Sequence, residues 1–412
     1  MENSSITKYV IKNNSCNGLY FNNKIIKEIS GPVSIHILKP KNPELPIFLL
    51  FGDVHESYAN MCDKKPYSYI IYEKPFIDLF DIKGVDFFIE DHYHNPLETD
   101  LHKLLEEEPD DILSELLNIS RGCYNRIDKS KCLTKFIRWH FVDSRNVVLK
   151  CNHKVLFSYI FGRLLEVIEV IKKEDLDEYY INKIKEYYKE FLIILNKNSS
   201  FVDCILNDLL NIKQNEKNKS SCKILDKLKE FYLDKENLLY LEYKKCNNLS
   251  SYNYIKCLLI DFFKDFDKKT DDEIFKKIKN FKKKSFLCYI LKEISTFSVD
   301  IYYILRSFKY TDSKLNIGYF GLSHTINIKD FLIYSNLYEN IYEQINSNSK
   351  LSLPYEYELF SMLEIKNRDN KLFDNKKFEY NLSIFERLKS TVSRCITFDN
   401  VFINLSFTDP DK

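Results

Sequence analysis

Residues 47–58, IFLLFGDVHESY, decide how this chain is read. Five consecutive apolar residues, Ile47 to Phe51, follow Pro43 and Pro46 and stop at Gly52, and a polar cluster of Asp53, His55, Glu56 and Ser57 comes next. A short apolar run bounded by prolines and a glycine predicts a strand buried on both faces. Open α/β sheets hold their ligands in the crevice at the carboxyl ends of such strands, which makes Asp53 and His55 candidates for chemistry. Glycine at position 52 lets the backbone turn sharply or approach a ligand closely.

The same grammar returns downstream, where Asn316-Ile317-Gly318-Tyr319-Phe320 runs into Gly321-Leu322-Ser323-His324. Placed at random, 8 glycines and 8 histidines in 412 residues give about 0.16 matches to Gly-x-x-His. Two such matches close apolar runs, so coincidence explains them poorly. A further run, Val85 to Ile89, ends in Glu90-Asp91-His92-Tyr93-His94, and a fourth, Phe136 to Val142, ends in Asp143-Ser144-Arg145. Glu90 stands at a strand end as Asp53 does and reads as functional. His92 and His94 read equally well as a solvated loop, and Asp143 and Arg145 as an ion pair of small value. The alternating segment Val33 to Leu38 predicts a neighbouring strand in which His36 is packed or edge-facing rather than a ligand.

From Val155 to Tyr310 the texture changes, with no proline and one glycine, Gly162. Apolar residues there recur at helical spacing, as in Tyr180, Ile184, Tyr187 and Phe191, and predict five or six helices. The fold class that follows is α/β, a mixed central sheet with flanking helices and a large all-helical insertion. Residues 1–153 and 311–412 form the α/β domain of this reading, and 154–310 form a helical cap over the crevice.

Sixty-one Lys and Arg balance sixty Asp and Glu, a net charge of +1, which gives no electrostatic case for nucleic acid or an anionic membrane. Even the Lys-rich piece Lys276–Lys284 is offset by Asp261, Asp265, Asp267, Asp271 and Asp272 and reads as a solvated helix face. The apolar stretch 285–308 is interrupted by Lys292, Glu293 and Asp300, so no membrane span is expected. Eleven cysteines without a CxxC pair, behind an N-terminus with no signal-peptide pattern, point to reduced thiols in a cytosol-like compartment. Cys123, Cys132 and Cys151 are close enough to suggest zinc, but their spacing matches no zinc module.

Collected, the strand ends offer Asp53, His55, Glu90, Asp143, Arg145 and His324. His55, Glu90 and His324 could hold one divalent metal (zinc, manganese or cobalt) and leave a position for an acidified water. Without metal, a histidine oriented by a carboxylate serves as general base, with Asp53 orienting it and Arg145 stabilising an oxyanion. Both schemes are hydrolytic, and both stay open.

Gly52-Asp53-Val54-His55 after a first strand, Glu90 after a second and Gly321-Leu322-Ser323-His324 after a last resemble the erythromycin esterase/ChaN/TraB/TIKI superfamily. The resemblance covers residues 33–150 and 311–335, and Asp53 stands where two of its branches typically carry Glu. It implies a hydrolase acting on an ester or peptide bond of a small-molecule or peptide substrate. Its members nonetheless include metal-dependent proteases, lactone hydrolases with a histidine base and a haem-binding lipoprotein. Calcineurin-like phosphoesterases also open with Gly-Asp-x-His, but their downstream motifs are missing. Composition (one alanine, 29 tyrosines, 31 phenylalanines) resembles proteins of large cytoplasmic DNA viruses, which makes the host cytoplasm or the virion the expected location. A non-catalytic binding or virion-associated protein retaining the fold is the competing reading.

Overall fold

The structure is a computed structural model describing residues 10–11, 17–54, 61–62, 68–92, 112–124, 132–143, 157, 160–162, 164, 178–212, 219–240, 251–281, 284–310, 312–346, 393–398 and 401–405. In chain order the elements begin with β1 (Val10–Ile11), β2 (Gly18–Phe21), β3 (Lys24–Ile26), β4 (Glu28–Ser30), β5 (Ser34–Pro40) and β6 (Ile47–Asp53). Next come β7 (Ser68–Ile70), α1 (Lys74–Phe80), β8 (Val85–His92), α2 (Ile112–Tyr124) and β9 (Arg138–Asp143). A helical stretch follows: α3 (Glu178–Lys197), α4 (Phe201–Ile212), α5 (Lys219–Tyr240), α6 (Ser251–Phe263), α7 (Asp271–Lys279) and α8 (Lys284–Ser307). The chain then returns to β10 (Leu315–Gly321), α9 (Leu322–Tyr334), β11 (Tyr338–Ile345), β12 (Cys395–Thr397) and β13 (Phe402–Asn404).

Two compact units result, one of Met1–Val142, Arg306–Glu358 and Ser383–Lys412, the other of Asp143–Leu305 and Leu359–Leu382. The first is built on a six-stranded mixed sheet in the order β11-β5-β6-β10-β8-β9. β6, β10 and β8 run parallel, β5 is antiparallel to β6, and β11 is antiparallel to β5. The four strands whose ends carry the polar clusters, β6, β8, β9 and β10, are therefore neighbours. Every residue of β6 and of β10 is buried, which is why these runs are apolar without alternation.

The two faces of this sheet have different partners. Register aligns Tyr319 with Phe51 and with Ile89, so these three share one face. On that face Leu49, Phe51, Phe87, Ile89, Trp139 and Tyr319 join Phe76 and Phe80 of α1 and Ile29 and Ile396 of the small strands in one core. The opposite face is covered by α9, with Ile328, Phe331 and Leu332 buried.

Gly52 belongs to the α9 face, and its role differs from the sharp turn or ligand approach expected of it. A Cβ at position 52 would lie 2.3 Å from Ser34 Oγ, 3.0 Å from Leu322 Cδ1 and 3.2 Å from Thr325 Oγ1. The glycine lets α9 sit directly on the sheet. Gly52→Ala is expected to cost about 1–3 kcal/mol through overpacking, read from the shift in urea midpoint.

Four cysteines are paired rather than reduced, as Cys62–Cys395 and Cys123–Cys132. The second pair removes two of the three thiols considered for zinc, and Cys151 lies outside the described residues. Cysteine spacing alone does not give connectivity, because the partner of Cys62 lies 333 residues away.

In the second unit, all regular structure among the described residues is helical. The first turn of α4 is capped from another helix: Glu236 of α5 accepts the N–H groups of Phe201 (3.0 Å) and Val202 (2.9 Å). Burial pushes Glu236 up to about 7 against these two bonds, from an ordinary value of 4.5. A folded value raised above the unfolded one means the folded chain binds the extra proton. The contribution is fully present below pH 4.5 and is lost as pH rises through 7. His36 and His140, pushed down by burial from 6.5, act in the opposite direction and cancel in a comparison of variants. Relative to Glu236→Gln, the wild type should therefore gain ~3 kcal/mol on acidification from pH 8 to pH 5 in urea unfolding.

Candidate functional site

The best-formed constellation lies where β8 and β10 end. β10 passes into α9 without an intervening residue, so Gly321 (φ −54°, ψ 146°) is the N-cap and His324 is the third residue of the helix. A glycine N-cap has no side chain to offer the first turn, and a capping box would place Glu or Gln at the third position to accept the N-cap N–H. This helix has histidine there, and the carboxylate arrives from the adjacent strand instead. Glu90 Oε2 accepts the Gly321 N–H at 2.8 Å, and Oε1 lies 3.3 Å from His324 Nε2. A negative group at a helix N-terminus is stabilised by the unpaired amides there. Both side chains are largely withdrawn from solvent, with 6 % of His324 and 11 % of Glu90 exposed.

Asp53 does not share this site. Register pairs it with Gly321, but side chains alternate along a strand, so Gly52 and Glu90 face α9 while Asp53 faces the α1 core. There its Oδ1 accepts the Val54 N–H at 2.8 Å and Arg394 Nη1 at 2.7 Å, in an ion pair from which solvent is almost wholly excluded. Asp91, one residue past Glu90, goes the same way and meets Arg121 of α2 at 3.1 and 3.2 Å. Asp143 is buried at the end of β9, on the side of Trp139 and Phe141 by the same alternation. The expectation that Asp53 would orient an imidazole is replaced on this geometry by burial on the far face, where Asp143 is buried too. His55, His94 and Arg145 lie outside the described residues, as does the side chain of His92. Of the ligand set His55, Glu90 and His324, the structure thus describes two members, in contact.

Two groups escaped the sequence reading. Arg394 gave no signal, because nothing local marks a partner for Asp53 from 341 residues away. The other is a network at the opposite, amino-terminal end of the strands. His140 Nε2 lies 2.7 Å from Asp86 Oδ1, and Arg138 holds both Asp86 oxygens at 2.7 Å while also binding Asp312. His140 stacks on Phe88 and Tyr310. Burial raises Asp86, but its bonds from His140, Arg138 and Ser313 prevail and hold it at about 2. Arg138 and His140 at i and i+2 on one strand, in phase with Asp86 and Phe88 on the next, were the available signal. With Arg138 fully occupied and His140 enclosed between rings, the cluster ties β8 to β9 rather than binding a ligand.

Among the described residues, one group of three carries metal-ligand chemistry, Glu28 with Cys62 and Cys395. None of the helices described is long and apolar enough to cross a membrane. Comparison with known families, with curated proteins and with solved structures gave no match.

Removing one partner of a buried ion pair strands the other. Arg394→Met should destabilise the protein by about 3–5 kcal/mol, and the double variant Asp53→Asn/Arg394→Met should recover most of that loss in urea unfolding.

Proposed function

We propose that the chain is a hydrolase of ester or peptide bonds, of the erythromycin esterase/ChaN/TraB/TIKI type, in which Glu90 and His324 act as one unit. The observation that carries this reading is the 3.3 Å contact between Glu90 Oε1 and His324 Nε2 at the carboxyl ends of two adjacent parallel strands. Glu90, itself held by the Gly321 N–H, lies beside Nε2 and favours the protonated imidazole, which makes His324 the base. His324 takes a proton from the water that attacks the carbonyl carbon. The resulting imidazolium is stabilised by the adjacent carboxylate, and the proton then passes to the leaving oxygen or nitrogen.

A metal-assisted form uses the same two side chains as ligands, with His55 as the third, and zinc, manganese or cobalt would supply an acidified water when bound. The contact between Glu90 and His324 fits either form, since a carboxylate and an imidazole are suitable donors. The low exposure of the pair, and the capping of α9 by Glu90, favour a second reading. In it the chain is a binding or virion-associated protein and the pair serves only to seat the helix.

Glu90→Gln separates these readings, because the amide oxygen still accepts the Gly321 N–H. On the hydrolase reading, Glu90→Gln and His324→Gln each lower turnover of a p-nitrophenyl ester by about 10²–10⁴-fold. The unfolding free energy of Glu90→Gln should fall by no more than about 1 kcal/mol, the worth of a negative charge at a helix N-terminus. Elemental analysis showing about one equivalent of metal that His324→Gln loses would select the metal form. A wild-type protein that turns over no member of an ester, lactone and peptide panel would leave the binding reading alone standing.

A further inference from the structure

We infer that Glu28, Cys62 and Cys395 form a redox-gated site for a soft divalent cation of the zinc class, separate from the Glu90–His324 pair. One oxygen and two sulfur donors from these residues lie within 4.8 Å of one another, and all three residues are half-buried. In the structure the two sulfurs are joined as a disulfide. A disulfide is neutral and gives a neighbouring carboxylate nothing to bind. Two thiolates beside a carboxylate are three anionic donors, and cysteine sulfur with carboxylate oxygen is a set zinc takes readily, with water completing the tetrahedron.

The frame around the donors is independent of the sulfur–sulfur bond. Glu28 lies on β4 and Cys395 on β12, paired antiparallel so that Cys395 is opposite Ser30 and Thr397 opposite Glu28. Met61 bridges Arg394, and the Cys62 N–H donates to Ser30 Oγ at 2.9 Å. Asn346 Nδ2 donates to the Cys395 carbonyl at 2.7 Å. Backbone pairing thus positions all three ligand-bearing residues in either redox state. Ser68, opposite Glu28 on β7, donates its hydroxyl to Glu28 Oε2 at 2.5 Å and sets the carboxylate's orientation, as outer-shell groups do for metal ligands.

The two states interconvert by thiol–disulfide exchange. One zinc-bound thiolate attacks a low-molecular-weight disulfide oxidant, R–S–S–R, forming a mixed disulfide and releasing one RS⁻. The second thiolate displaces the other RS⁻ and closes Cys62–Cys395. The protein sulfurs lose two electrons, the oxidant gains them as two thiolates, and the divalent cation departs. Either the cation or the disulfide therefore links Cys62 to β12, beside the Arg394 that neutralises Asp53 in the core.

The test uses the full chain, stripped of metal, either reduced with a phosphine or oxidised, and titrated with zinc against a chromophoric chelator. The reduced wild type should bind one equivalent more than the double variant Cys62→Ser/Cys395→Ser, while the oxidised wild type should bind no more than that variant. Glu28→Gln, which leaves both sulfurs and the fold in place, should weaken the additional equivalent by at least ~10-fold, and Ser68→Ala by about 10–100-fold. Equal zinc stoichiometry in the reduced wild type and the double variant would overturn the inference. Unchanged affinity in Glu28→Gln would do the same, and would stand even if the double variant failed to fold.

Discussion

The alternation of side chains across a sheet buried on both faces is the constraint on which the rest of this structure depends. At the end of a β-strand, two consecutive polar residues cannot serve one site, because a shift of one residue moves a side chain to the other face. β8 therefore delivers Glu90 to the α9 face and Asp91 to the α1 face, while β6 delivers Gly52 and Asp53 in the same order. On the α1 face the acids are matched by Arg394 and Arg121 from other parts of the chain. On the α9 face the acid meets an imidazole and a helix N-terminus. Charge on one face serves the core, and charge on the other brings a carboxylate against an imidazole and a helix N-terminus.

Much of the framework was legible in the sequence for simple reasons. Apolar runs ended by glycine or acid mark strands buried on both faces, and they located β6, β8, β9 and β10. A proline-free helical period marked the helical stretch. The candidate site was legible only in part. Glu90 and His324 could be picked from position alone, but counting parity from Phe51 and Ile89 would have sent Asp53 and Asp91 away from them. Gly52 looked like a ligand-facing glycine because sequence does not show which helix will lie over it, and the answer, α9, begins 270 residues later. Arg394 and the partner of Cys62 were not legible, since long-range pairing leaves no local periodicity to read.

The late segment 393–398 shows how such pairing stabilises the first unit. Arg394 is buried with Asp53, Cys395 is bonded to Cys62, and β12 completes the small sheet with β4 and β7. Burying a guanidinium is unfavourable unless its partner and geometry are supplied together, and here the neighbouring backbone pairing and the sulfur linkage supply the geometry. The Asp86–His140–Arg138 network does comparable work at the other end of the sheet from residues much nearer in sequence.

The central claim is that Glu90 and His324 form one functional unit on one face, apart from Asp53 on the other. A double-mutant cycle on ester turnover tests it most directly, pairing His324→Gln first with Glu90→Gln and then with Asp53→Asn. The account predicts strong non-additivity in the first pair, the double variant being about as slow as either single one, and additivity in the second. Additive losses between Glu90 and His324, or coupling of His324 to Asp53 as strong as its coupling to Glu90, would contradict it.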